Sequence, residues 1–117
     1  MAEPYLEILS SKIASLGLST SEGIVLECKH FFSGAALYAN GQICASLTAA
    51  GFGLKLPADV RNRLIEEEAG QALRYFEKAP VKKEYVALSQ PVVDDPERLK
   101  LLLTLSIGYV TEGRRAA

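Results

Sequence analysis

Short runs of alternating hydrophobic and polar residues in the first half of the chain predict half-buried β-strands. In residues 24–29, hydrophobic side chains alternate with Glu27 and Lys29. Residues 52–56 repeat the pattern after a short turn at 49–51. These strands are close enough along the chain to form an antiparallel meander.

The clearest local signal is a β-hairpin centred on Asn40–Gly41. Asn-Gly accepts the two positive φ angles of a type I′ turn, the favoured two-residue connection between antiparallel strands. The turn predicts that Tyr38 pairs with Ile43 and that Leu37 pairs with Cys44.

Hydrophobic residues at helical spacing predict three helices. The first covers about residues 4–16. The second has Pro57 at its first position and ends before Gly70. Its expected inner face is Val60, Leu64 and Ile65. The last helix is capped by Asp95 and ends near Gly113.

Two further strands, at 73–76 and 85–88, are predicted to be joined across residues 78–80. The resulting order is α-β-β-β-(β)-α-β-β-α. Strands joined by hairpins, with helices before, between and after them, favour an antiparallel sheet covered by helices on one face. We therefore predict a two-layer α+β fold, with residues 1–117 forming a single domain.

Composition and charge exclude several functional classes. Of the 117 residues, 49% are hydrophobic and 23% are charged, which is typical of a globular domain. The net charge of −1 provides no overall attraction to nucleic acid or anionic membrane. The N-terminus shows no basic, then apolar, secretory leader, and the apolar runs are too short to span a bilayer. We expect a cytoplasmic protein without membrane contact, in which Cys28 and Cys44 are reduced.

Catalytic and metal-binding chemistry have little support in the residues. Cys28 and His30 share one side of a strand, but a thiol–imidazole pair also needs a residue to orient the ring. Cys28, His30 and Cys44 lack paired metal-ligand spacing, and Cys44 is better explained as a small core residue. The prediction is a non-enzymatic protein with no catalytic residues, no metal and no cofactor.

Gly51 and Gly53 followed by Lys55 leave one alternative open, a small-molecule or nucleotide site at this turn. A phosphate-binding loop places its lysine at the start of a helix, whereas Lys55 falls inside a predicted strand. Glycines that shape a turn and permit close packing are the simpler explanation.

Basic residues occur in pairs, at 82–83 and 114–115, but aromatic residues do not alternate with them as a nucleic-acid stacking surface requires. We predict no tight nucleic-acid binding by this chain alone. The acidic run at 66–68 is best explained as a solvated helix end, with a docking surface for a basic partner as the alternative.

The last helix is hydrophobic on more than one side. A helix offers its own sheet a stripe little more than 100° wide. Leu101 and Leu105 fall outside that stripe and, being four residues apart, share one face. They predict self-association as a homodimer, unless the first helix covers them within one chain.

Residues 31–45 read Phe-Phe-Ser-Gly-Ala-Ala-Leu-Tyr-Ala-Asn-Gly-Gln-Ile-Cys-Ala. They resemble the Met-Phe-Gly-Gly-x-Gly-Leu-Tyr-x-x-Gly-x-x-Phe-Ala block of the TfoX (Sxy) N-terminal domain family. Residues 54–56 resemble a later strand of that family, and 92–97 resemble the start of its last helix. The positions that carry the resemblance are Phe32, Gly34, Leu37, Tyr38, Gly41, Leu54 and Lys55. The sequence departs from the pattern at Ser33, Ala36 and Cys44.

The resemblance implies a two-layer α+β domain similar in outline to secretion chaperones. It also implies a role in the regulation of natural competence, and hence of transcription, without any catalytic residue. The best-known members carry a second helical domain, which we do not expect here. The functional hypothesis is a regulatory or adaptor module that binds a protein partner of unidentified nature.

Overall fold

The computed structural model describes residues 4–18, 23–31, 34–74 and 83–113. The strands in these ranges are β1 (Leu26–Phe31), β2 (Gly34–Ala39), β3 (Gln42–Thr48), β4 (Gly51–Lys55), β5 (Gly70–Ala72) and β6 (Tyr85–Leu88). The helices are α1 (Tyr5–Leu16), α2 (Ala58–Glu66), α3 (Gln90–Val93) and α4 (Pro96–Gly108), and a π-helical segment follows at Tyr109–Gly113. The described strands form one antiparallel sheet in the order β1-β2-β3-β4-β6-β5. The predicted α+β class is confirmed.

The β2–β3 hairpin forms at the predicted turn, with φ angles of 51° and 79° at Asn40–Gly41. Tyr38 pairs with Ile43, as predicted. The predicted pairing of Leu37 with Cys44 is wrong, because a β-bulge shifts the register and places Leu37 opposite Ala45. Cys44 is the extra residue of the bulge, and its thiol donates to the Leu37 carbonyl oxygen at 3.4 Å.

The far end of the sheet differs from the sequence prediction. The strand expected at 73–76 is β5, Gly70–Ala72, and it begins earlier because α2 already ends at Glu66. Residues 75–76 and the expected connection at 78–80 lie outside the described residues. β6 forms at 85–88 as predicted and lies between β4 and β5.

The helix boundaries largely agree with the sequence signals, with two corrections in α2. Pro57 has an extended ψ of 155° and is the N-cap, not the first helical residue. Ile65 is exposed because Leu64 takes the inward position and the next residue is turned about 100° away. Asp95 caps α4 as predicted, its side chain accepting from the Arg98 backbone N–H at 3.3 Å. The short helix α3 was not predicted.

One core joins α1 and α4 to the same face of the sheet. Its fully buried leucines include Leu9 of α1, Leu37 and Leu54 of the sheet, and Leu99 and Leu103 of α4. Burying each such side chain contributes roughly 1.5–3 kcal/mol. The opposite face of the sheet carries a smaller cluster of Leu73, Tyr85 and Ala87. In the described part of the chain, no helix is long and apolar enough to cross a membrane.

Candidate functional site

Two glycines of the family-like block have backbone roles. A Cβ at Gly34 would collide with the Leu47 carbonyl oxygen and would lie 2.8 Å from Cγ2 of Thr48. A glycine is therefore required there for β2 to lie against β3. Gly41 supplies a positive φ in the hairpin turn. Both positions specify the shape of the sheet and offer no side chain to a ligand.

Leu37 and Leu54, also from the block, are fully buried on the helix-covered face. Tyr38 of β2, another residue of the block, contacts Lys29 of β1. The Lys29 Nζ atom is 5.3 Å from the centre of the Tyr38 ring. Such a cation–π contact stabilises an exposed pair by about 0.5–1 kcal/mol. Phe32 lies outside the described residues. These block residues therefore build the sheet and its surface.

Lys55, on which the small-molecule or nucleotide alternative depends, is buried in the structure. It lies at the end of β4 with only 9% of its surface exposed. Its Nζ atom is 5.4 Å from the centre of the Tyr85 ring, its partner in the β4–β6 register. The ammonium group is thus held against the sheet, and the turn that begins β4 presents no free lysine to a nucleotide.

The outer face of α4, defined here by Leu101 and Leu105, is exposed to solvent. The two side chains are 60% and 43% exposed. α1 packs beside α4, but its Leu9 is buried in the core and Ile13 packs against that core. The alternative that α1 covers Leu101 and Leu105 within one chain is wrong. Both leucines have unburied apolar surface that a partner could cover.

Comparison with protein-family models agrees with these structural roles. The model of the TfoX N-terminal domain matches residues 24–109, which is well over half of the chain. The chain belongs to the TfoX N-terminal domain family. The match runs from just before β1 to the end of α4, so it includes the sheet, the Leu101–Leu105 face and α2 but not α1. No curated protein sequence matches the chain significantly.

The two thiols and the imidazole differ in their exposure to solvent. Cys28 is half-buried and His30 is exposed, both on β1. Burial raises the pKa of the Cys44 thiol from 9.0 to about 12, against a smaller lowering by the nearby Ser106 hydroxyl. A thiol with so high a pKa is protonated at neutral pH and is a poor nucleophile. Among the described residues, no three His, Cys, Asp or Glu side chains are grouped to hold a metal ion.

The bulge at Cys44 has a structural consequence that the sequence did not reveal. It exposes the Cys44 carbonyl oxygen to α4, where the Ser106 hydroxyl donates to it at 2.9 Å. Ser106 itself is fully buried, so this bond satisfies a polar group that would otherwise be costly to bury. The bulge and Ser106 thus add a hydrogen bond between β3 and α4 to the core packing that positions the helix.

Proposed function

We propose that this chain is a non-enzymatic regulatory or adaptor module that acts through protein–protein contacts in the cytoplasm. Membership of the TfoX N-terminal domain family supports a regulatory role, as in competence regulation. The observation that carries the proposal is the outer face of α4. Its two leucines remain in solvent although the other side of the same helix is fully buried.

The first partner of this face is a second copy of the chain. A two-fold axis that crosses α4 midway between the two leucines places Leu101 of one copy against Leu105 of the other. Four leucines are then covered by a single self-complementary contact, the commonest arrangement in soluble oligomers. Full burial of an exposed leucine side chain contributes roughly 1.5–3 kcal/mol. Because Leu101 and Leu105 are only partly exposed, covering each of them stabilises the dimer by part of that amount.

Analytical ultracentrifugation tests the dimer. If the dimer dissociates with a Kd in the micromolar range, the wild type should sediment as a dimer at about 100 μM protein. A Leu101→Glu, Leu105→Glu variant is expected to sediment as a folded monomer. Val25→Glu is the matched control, because Val25 is 68% exposed and lies outside α4. It introduces a charge at an exposed apolar position and should leave the dimer intact.

A monomeric wild type, or a dimer that survives both glutamates, contradicts the self-association proposal. Circular dichroism and thermal melting show whether the double variant keeps its fold. Affinity purification of the wild type from its native cytoplasm addresses the second partner, the regulated protein. Native mass spectrometry that finds a bound metabolite and no protein would instead favour the small-molecule alternative.

Tight DNA binding is not part of the proposed function. Non-specific binding to duplex DNA depends on a cluster of cations that displaces counterions from phosphates. The net charge of the whole chain is −1, and Arg98 is engaged by Glu67 at 2.9 Å. We expect no gel shift at physiological salt below about micromolar protein with any duplex. A sub-micromolar shift with a steep salt dependence would contradict this.

A further inference from the structure

A cleft of about 460 Å³ lies where α2 meets β5 and the start of β6. Its volume falls within the range of small-molecule sites, about 300–1,000 Å³. Ile65 and Tyr85 contribute apolar lining, and Arg61, Asn62 and Lys83 contribute polar lining. An apolar wall beside a few polar donors is the usual composition of a site for a small organic ligand.

The charges that line the cleft favour an anion. Arg61 and Lys83 are cationic, and Glu84 is the carboxylate among the lining residues. Among the described lining residues, two positive charges against one negative charge leave an excess of +1. The Glu84 carboxylate also accepts a hydrogen bond from the Tyr109 hydroxyl at 2.5 Å. A ligand that carries a carboxylate or phosphate group is therefore attracted to this lining.

Arg61 provides the independent observation that points to a ligand. Its Nε atom is buried, yet it has no hydrogen-bond partner among the residues that the structure describes. A buried N–H of a charged group that lacks a partner is costly, and native proteins rarely leave one unsatisfied. Nε–H and a neighbouring Nη–H form the side-on pair of donors that matches two oxygens of a carboxylate or phosphate group. A lysine cannot offer this planar pair.

We propose that this cleft is a binding site for a small organic anion. Because the Nε atom is buried, the Arg61 side chain must rotate toward the cleft to reach the ligand. Two oxygens of the ligand's carboxylate or phosphate group then accept from the Nε–H and Nη–H of Arg61. Lys83 adds a second positive charge at the rim, where its side chain is exposed. The apolar body of the ligand packs against Ile65 and Tyr85. This site is separate from the outer face of α4 and does not depend on the protein-contact function.

Titration of the full chain by two-dimensional NMR tests the site with benzoate and with phenyl phosphate. Benzamide, the uncharged analogue of benzoate, controls for apolar contact alone. Both anions are expected to shift the Arg61 Nε–H resonance and the backbone resonances of Ile65 and Tyr85, whereas benzamide shifts none. The anion that binds with the higher affinity shows whether a carboxylate or a phosphate group fits the cleft better.

Variants then separate a specific donor from general charge. Arg61→Lys keeps the charge but removes the planar pair, and should weaken binding about 10- to 100-fold, the value of charge-assisted hydrogen bonds. Lys83→Gln should weaken it by a smaller factor. Arg63→Gln is the matched control, because Arg63 is exposed on the same helix and lies outside the cleft lining. It should leave the affinity unchanged.

Several results would overturn the proposal. These are equal shifts with benzamide, an affinity unchanged in Arg61→Lys, or an equal loss in Arg63→Gln. If Arg61→Lys does not fold, an affinity unchanged in Lys83→Gln is itself decisive against the site. Absence of any shift with both anions also rejects it.

Discussion

The β1–β4 meander and the β5–β6 end of the sheet are held together by different kinds of contact. In the meander, each strand pairs with the next along the chain, and the turns at Asn40–Gly41 and Ala49–Ala50 are two residues long. At the other end, β4 pairs with β6 across the whole of α2, and β5 pairs with β6 over a longer connection. Local turns determine register in the first region, whereas packing between distant segments determines it in the second.

The largest expected effect is in the meander, at Gly34. In Gly34→Ala the new methyl group would meet the backbone of β3 at Leu47 and Thr48. Backbone paired on both sides cannot move without breaking the sheet, so we expect a loss of about 3 kcal/mol or more in the free energy of unfolding. Urea denaturation measures this loss. Gly108→Ala is the control, since a Cβ there has nothing within 4 Å and should cost nothing. A loss below about 1 kcal/mol would show that the meander is less rigid than its short turns indicate.

The bulge in the meander gives a pH-dependent prediction. Burial raises the pKa of Cys44 from 9.0 to about 12. Between these two pH values, the folded state keeps a proton on the Cys44 thiol that the unfolded state has released. The unfolded state binds fewer protons there, and stability must therefore fall as the pH rises above 9, by about 1.4 kcal/mol per pH unit. Below pH 9 this contribution is fully present.

Urea denaturation between pH 9 and about pH 10.5 measures that slope. The difference between the wild type and Cys44→Ala isolates it from the titration of tyrosines and lysines. Cys28→Ala retains Cys44 and should keep the wild-type slope. Parallel curves for the wild type and Cys44→Ala would contradict the burial of the thiol.

At the β5–β6 end, Gly70→Ala is the counterpart of Gly34→Ala. Its Cβ would lie 2.7 Å from Cγ2 of Val86 and 3.1 Å from the Ala87 carbonyl oxygen. The nearest obstacle is a side-chain methyl, and β5 is a three-residue strand at the sheet edge. Both can shift, so we expect a loss of about 1–2 kcal/mol, less than at Gly34. A loss equal to that of Gly34→Ala in the same urea series would mean that the two ends of the sheet are equally rigid.

The same difference between regions explains what the sequence could predict. Asn40–Gly41 specified its hairpin because the turn needs only neighbouring residues. The bulge at Cys44 was missed because it is stabilised by Ser106, which lies far away along the chain. β5 was misplaced because its position follows from where α2 ends and from pairing with β6. Leu101 and Leu105 were correctly expected outside the apolar stripe, since helical spacing alone decides which side of α4 they occupy.

The cleft beside α2 was not predicted, because its residues come from two separated segments. In the sequence, Lys83 belongs to the basic pair at 82–83, and Arg61 is one of two arginines in α2. Only the pairing of β5 with β6 brings the second segment next to α2. The hydrophobic pattern of α2 is only partly amphipathic. It does not distinguish Arg61, which lines the cleft, from the exposed Arg63. Sites formed by non-local pairing require the fold before they can be recognised.

The smallest effect is expected from the ion pair that ties α2 to α4. Arg98 Nη2 lies 2.9 Å from Glu67 Oε1, and the side chains are 40% and 50% exposed. Solvent and salt screen such a pair, so its coupling energy should be about 0.2–1 kcal/mol and should decrease as salt is added. A double-mutant cycle of Arg98→Ala and Glu67→Ala, followed by urea denaturation at low and high salt, measures it. Glu66→Ala is the control, because Glu66 has no ion pair among the described residues. A coupling above about 2 kcal/mol would mean that this surface contact, and not strand pairing alone, positions α2 against the β5–β6 end.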